Sequence, residues 1–170
     1  MKTERILQVS IGVLLCAFVY VLFISMYERV VHVGDSAPDF SITADNGRTI
    51  SASNFGGKLL VLNFWATWCP PCVHEIPSLD QFQKQFANSG VVVLGVSVDK
   101  DEKAYRRFLS RANVSFMTAR DPENRINAEY GTFKYPESYL INSEGKVVMK
   151  VINETDWTDP TMVSFVKSQL

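Results

Sequence analysis

A chain of 170 residues, 46% apolar and 21% charged, has room for one ordinary domain and excludes a multi-domain enzyme. An aromatic content of 12% and a near balance of 17 basic against 18 acidic residues exclude a disordered chain, and a formal charge of −1 leaves no electrostatic footprint for DNA or RNA. Three cysteines are too few for a disulfide-stapled miniprotein, and two of them stand as Cys69-Pro70-Pro71-Cys72.

Residues 1–5 read as a short cytoplasmic N-terminus and residues 6–26 as a transmembrane anchor. Ile6 to Met26 is a run of 21 residues without a charge, and a helix rising about 1.5 Å per residue crosses a hydrocarbon core of about 30 Å with that length. A cleavable signal peptide is the rival reading; its apolar core is shorter, about 7–15 residues, and ends in small residues that Phe23-Ile24-Ser25-Met26-Tyr27 does not supply. Lys2, Arg5 and the α-amino group precede the span, so the positive-inside bias sends everything after Tyr27 outward. Cys16, mid-span and preceded by bulky Leu15, reads as a small apolar residue rather than a lipidated one. Residues 27–36 read as a linker and 37–170 as the exported domain. The part after residue 33 holds 14 basic and 16 acidic residues, a mild acidity that suggests neither a membrane surface nor a nucleic acid as partner.

Within that domain the pattern predicts a strand around Phe40–Thr43, a turn at Asp45-Asn46-Gly47 and an extended piece at Arg48–Ile50. Lys58–Trp65 is apolar without alternation, as expected of a strand covered on both faces. Apolar Ile76, Leu79, Phe82 and Phe86 then recur at helical spacing between Pro71 and Ala87, with Pro77 expected to kink the helix. Val91–Val98 is a second doubly buried strand. Asp101–Ala112 is an amphipathic helix whose Lys103, Arg106, Arg107 and Arg111 form a solvated face. A strand at Phe116–Ala119, a short helix at Pro122–Tyr130, a hairpin of Glu137–Asn142 with Lys146–Ile152, and a final helix Pro160–Gln169 capped by Thr158 or Asp159 complete the chain. This order implies an α/β fold with a central mixed sheet flanked by helices.

Cys69 and Cys72 fall where the first buried strand hands over to a helix. At a helix start the free N–H groups and the positive end of the dipole favour a thiolate on Cys69, and Pro71 fits the first turn because its missing N–H costs no helical bond. Cys72, one turn in, is the natural resolving thiol for a mixed disulfide. Trp65 and Trp68 read as part packing, part platform beside the sulfurs. His74 reads as a helix-surface residue, since Cys69, Cys72, His74 and His32 do not make a closed zinc site.

With VGDSAPDF at 33–40, LLVLNFWATWCPPC at 59–72, Glu75-Ile76-Pro77, and KYPESYLINSEGKVV at 134–148, the sequence from about Val33 to Leu170 resembles the thioredoxin superfamily, in its membrane-tethered TlpA/ResA/CcmG (DsbE) branch. The resemblance implies a thioredoxin-like fold behind one N-terminal transmembrane helix. It implies extracytoplasmic thiol–disulfide chemistry on the periplasmic or outer face of the membrane, without a cofactor beyond the redox-active cysteine pair. Its implied partners are a protein disulfide, with apocytochrome c during cytochrome c maturation as a candidate, and a membrane electron donor of the CcdA/DsbD type. Pro136 matches the family's cis-proline, which would face the cysteines and expose the Tyr135 backbone to an extended substrate. Glu75, three residues past Cys72, matches a glutamate of related reductases. In a half-buried spot its pKa should be raised, letting it exchange protons with Cys72. Asn63 replaces the buried aspartate usual in thioredoxin, so an internal proton carrier must lie elsewhere. Trp68, Tyr135, Pro136 and Glu137 are the expected substrate contacts, Glu137 also being a second acidic candidate.

Three other readings use the same residues. An oxidase or isomerase differs only in redox potential, which no sequence rule yields. A Cu(I) metallochaperone suits two thiolates but lacks the distant histidine usual in copper-delivering relatives. A peroxidase needs a threonine three residues before the reactive cysteine, where Ala66 stands, with Thr67 misplaced by one.

Overall fold

The structure, a computed structural model, describes residues 2–25 and 30–170. Met26, Tyr27, Glu28 and Arg29, which the sequence reading divides between anchor and linker, lie outside the described residues. Helix α1 covers Lys2–Ser25. Its window Glu4–Leu22, with mean hydropathy 2.1, is long and apolar enough to cross a membrane and buries nothing against the rest of the chain. Residues 30–170 therefore carry a core of their own.

That core is organised by a five-stranded sheet. The strands are β3 (Leu59–Trp65), β4 (Val91–Ser97), β5 (Met117–Arg120), β6 (Glu137–Asn142) and β7 (Val147–Ile152), preceded by a separate hairpin of β1 (Ser41–Thr43) and β2 (Thr49–Ser51). The sheet order is β5-β4-β3-β6-β7, with β3, β4 and β5 parallel and β6 and β7 antiparallel to their neighbours. Every residue of β3 and β4 is buried, which is why their sequences lack polar alternation.

Alternation nonetheless decides the two faces. Leu59, Val61 and Trp65 point to one side with Val91 and Val93, where α2 (Pro70–Phe86), α3 (Glu102–Ala112) and α5 (Pro160–Ser168) supply Ile76, Leu79, Phe82, Phe86, Tyr105 and Val166. Leu60, Leu62 and Phe64 point to the other, against the β1–β2 hairpin, Phe40 and short α4 (Arg125–Glu129) with Ile126 and Tyr130. Each such large side chain, fully buried, favours folding by about 1.5–3 kcal/mol. Gly95, paired in register with Asn63, is required by close approach. A Cβ there would lie 2.9 Å from Phe116 and 3.1 Å from the Trp65 indole nitrogen.

Three local details differ from the sequence reading. The short helix is confined to Arg125–Glu129 because Asn124 takes a left-handed conformation before it. Trp65, expected to serve partly as a platform, is wholly core, packed on Tyr105 and Phe108. Residues 31–36, expected as linker, are bonded into the domain. Val31 is buried and donates its N–H to Tyr130, Gly34 donates to Val147, and Ser36 bridges to Lys146. An open backbone edge on β7 offers these residues partners that a sequence pattern does not display.

Candidate active site

Cys69 and Cys72 form a disulfide with Cα atoms 5.3 Å apart. Cys69 is the N-cap of α2, its Sγ accepting the Cys72 N–H at 3.3 Å, with Pro70 and Pro71 filling the first turn. Two prolines there cost no helical bond, and the first-turn amides are left for the sulfur. Cys69 keeps 6% of its surface exposed and Cys72 none. Burial thus separates the two sulfurs, Cys69 at the surface and Cys72 behind it. In the reduced pair the cap position favours ionisation of Cys69.

The turn before the helix is fastened from beneath. Asp99, buried after the end of β4, accepts the Thr67 N–H at 2.8 Å, the Thr67 hydroxyl at 2.6 Å and the Ser97 hydroxyl at 2.6 Å. Nothing in the local sequence pattern around Asp99 signals this role. The half-buried Thr67 donors and the buried Ser97 hydroxyl make it the clamp of the turn at Thr67. Asp99→Ala leaves those donors unpaired and is expected to cost about 2–4 kcal/mol of stability, to be read as a lowered midpoint of chemical unfolding in the oxidised protein.

Trp68 is 63% exposed and meets the Tyr135 ring edge-on at 5.9 Å. The Tyr135–Pro136 peptide is cis. The Pro136 carbonyl is taken by the Asn153 N–H at 3.0 Å, whereas the Tyr135 backbone has no backbone partner among the described residues. An extended polypeptide can use those free groups as the next strand of a ladder. Cys69, Trp68, Tyr135 and Pro136 therefore assemble from two elements far apart in sequence.

Glu137 does not join them. In β6 it points to the side opposite α2, with Tyr139 and Ile141. There it is 1% exposed, paired with Lys150 at 2.9 Å and bonded by the Tyr139 and Thr132 hydroxyls. A carboxylate so enclosed offers no surface to a substrate, which corrects the expectation that it contacts one. Lys150 also bonds the Val31 carbonyl at 3.2 Å, so this pair stitches residues 31–36 to the sheet.

Glu75 is more deeply buried than expected, 2% exposed, on the face of α2 that carries Cys72. The Asn63 side-chain amide donates to its Oε1 at 2.7 Å and the Thr155 N–H to its Oε2 at 3.3 Å. Burial pushes its pKa up to about 7. The hydrogen bonds from Asn63 and Thr155 hold it down, and Glu154 raises it further. Trp157 is fully buried on Phe82 at 5.5 Å, and its backbone N–H donates to the Ser78 hydroxyl at 3.2 Å. This loop passed unnoticed in the sequence, although a tryptophan in the polar run Asn153-Glu154-Thr155-Asp156-Trp157 signals a buried anchor. His74 lies on the helix surface, bonded to Glu154. Among the described residues no group of three His, Cys, Asp or Glu side chains gathers to hold a metal.

The AhpC/TSA family model matches residues 33–150. The chain is 34% identical over 160 residues to the thiol-disulfide oxidoreductase ResA of Bacillus subtilis (strain 168), covering 91% of this chain and 89% of that one. It is 36% identical over 125 residues to the thioredoxin-like protein YneN of the same organism, covering 72% and 73%. The fold superposes with a TM-score of 0.74 and 28% identity on a Chlorobium tepidum protein described as the thiol:disulfide interchange protein DsbE, covering 82% of this chain and 98% of that one.

Proposed function

The chain belongs to the AhpC/TSA family and is a thiol–disulfide oxidoreductase of thioredoxin-like fold, and from that premise we propose that it works as a reductant of protein disulfides outside the cytoplasm. The observation that carries this reading is Glu75, a buried carboxyl near pKa 7 one turn past the resolving cysteine. A reductant must deprotonate its second thiol after the first has bonded to substrate, and a carboxylate poised at neutral pH is the base for that step.

The exchange then runs in two displacements. The Cys69 thiolate attacks one substrate sulfur, forming a mixed disulfide as the substrate S–S bond breaks and one substrate thiolate leaves. Cys72 passes its proton to the Glu75 carboxylate and attacks the Cys69 sulfur. The Cys69–Cys72 bond forms, the second substrate thiolate leaves, and two electrons have passed from the pair to the substrate. A dithiol donor re-reduces the pair by the reverse sequence. Trp68 and Tyr135 wall the approach, and the open Tyr135 backbone aligns the substrate strand.

In this reading α1 anchors the protein as a single span, with residues 1–5 in the cytoplasm and the domain from residue 37, extended by residues 31–36, on the periplasmic or outer face. A membrane dithiol donor of the CcdA/DsbD type is then within reach. Apocytochrome c is the candidate substrate because its haem-attachment cysteines form an accessible close pair. The peroxidase reading is disfavoured by Thr67, whose hydroxyl and N–H are both committed to Asp99.

The test uses the full chain in detergent, reduced, with a peptide bearing an internal Cys-x-x-Cys-His disulfide. Stoichiometric reduction of the peptide, with a pair potential at least 30 mV below the glutathione couple (a tenfold equilibrium preference), is the expected result. A pair more oxidising than glutathione would replace this reading by the oxidase one.

A further inference from the structure

The side chain of Asn63 spans two parts of the site that otherwise do not meet. It lies on the face of β3 turned to α2, with one amide hydrogen donated to Glu75 Oε1 at 2.7 Å and the other to the Ser138 hydroxyl at 2.8 Å. Ser138 is its register partner in β6 and stands two residues after Pro136. All three side chains are buried, Asn63 to 1%, Glu75 to 2% and Ser138 to 2% exposure. Both hydrogens of one planar amide are thus committed, one to the carboxyl on α2 and one to the strand that presents the cis-proline. We propose that Asn63 is a positioning residue for the proton carrier, aiming the Glu75 carboxyl and, through Ser138, holding it in fixed register with the substrate-binding loop.

The residue type fits that task. An amide donates a hydrogen bond at every pH and never takes up a proton itself, so it steadies the carboxylate without competing for the proton that Cys72 releases. A planar group with both hydrogens engaged cannot turn without breaking one of them. The other groups facing Glu75 are the Thr155 N–H and Trp157 indole from the loop after β7, Glu154 from the same loop with His74 bonded to it, and Cys72 on its own helix. Asn63 is the side chain that joins the carboxyl to β6, so its removal should both loosen Glu75 and favour its protonated form.

The proposal deepens the reading of Glu75 as proton carrier and rests on it. Its test follows the Glu75 carboxyl by carbon NMR in the oxidised full chain in detergent, where Cys69 and Cys72 are tied in their disulfide and do not titrate. Asn63→Leu, nearly isosteric, should move the titration midpoint upward by about one pH unit, the size of one lost charge-assisted hydrogen bond. Ser138→Ala should move it upward by less. In the reduced protein, Asn63→Leu should displace the alkylation-versus-pH curve of Cys72, and the same substitution in a Glu75→Gln background should add no displacement. An unmoved midpoint in Asn63→Leu, or an equal displacement with Glu75 absent, overturns the proposal. If Asn63→Leu does not fold, Ser138→Ala decides, an unmoved midpoint counting against. Should Glu75→Gln alone leave the Cys72 curve unaltered, the carrier reading falls and this proposal with it, whatever the midpoints show.

Discussion

Replacing Cys72 by serine is expected to stop the reaction at its first covalent stage. Cys69 keeps the cap of α2 and its small exposed fraction, so it still attacks substrate, but the thiol that would resolve the mixed disulfide is gone. Turnover should fall by at least about two orders of magnitude, since release then depends on external thiols competing with an adjacent, pre-oriented one. Mixed disulfides through Cys69 should accumulate in the host and be separable by non-reducing electrophoresis, with mass spectrometry identifying each trapped protein. Cys69→Ser should trap none, because Cys72 has no exposed surface. Equal trapping by both variants would contradict the division of labour drawn from their burial.

The second large effect concerns Glu75 and pH. An unfolded glutamate titrates at its ordinary 4.5, and burial pushes the folded one up to about 7. Between these values the folded chain holds a proton that the unfolded chain has released. Stability therefore falls as pH rises through that window and levels off above it. At about 1.4 kcal/mol per pH unit the loss approaches about 3 kcal/mol. Glu75→Gln carries no such proton. In the oxidised domain of residues 30–170, whose core owes nothing to α1, chemical unfolding at pH 5 and pH 8 should show the variant gaining on the parent by up to that amount. The glutamine keeps one acceptor for Asn63 and loses the other, so its absolute stability at pH 5 should be lower. The signature is the difference in slope, and parallel pH profiles would mean that the folded carboxyl titrates like an exposed one. In the proposed mechanism the same substitution removes the base for Cys72, so a protein more stable at pH 8 should also be slower at resolving mixed disulfides.

The retention of Glu75 despite that cost follows the pattern of sites that hold a titratable group where packing alone would not. Asn63 and Asp99 are the counterweights. One holds the carboxyl by a neutral donor, and the other converts the turn before Cys69 from a loop into a clamped segment.

Part of the candidate site is legible in the sequence. Cys69 and Cys72 announce themselves because the strand ending at Trp65 and the amphipathic pattern after Pro71 place them at a helix start, and chemistry at a helix start follows from backbone geometry. Pro136 and Glu75 were legible through resemblance. Glu137 was misplaced because adjacency to Pro136 says nothing of direction. In a strand the neighbour of a substrate-facing residue points to the opposite face, and there Lys150 waited to pair with it. Asp99 and Trp157 were passed over because their partners, Thr67 and Phe82, lie 32 and 75 positions away along the chain.

The order of strands and helices, the doubly covered strands β3 and β4, the anchor-length apolar run and the reactive pair are written in local pattern, since periodicity, capping and hydrophobic length act over a few neighbouring residues. The partnership of Asn63 with Glu75 and Ser138, the open Tyr135 backbone beside Trp68, and the seating of residues 31–36 along β7 came only with the packed fold. Each joins groups from different elements, and their bonds and burial exist only once the sheet order has brought those elements together.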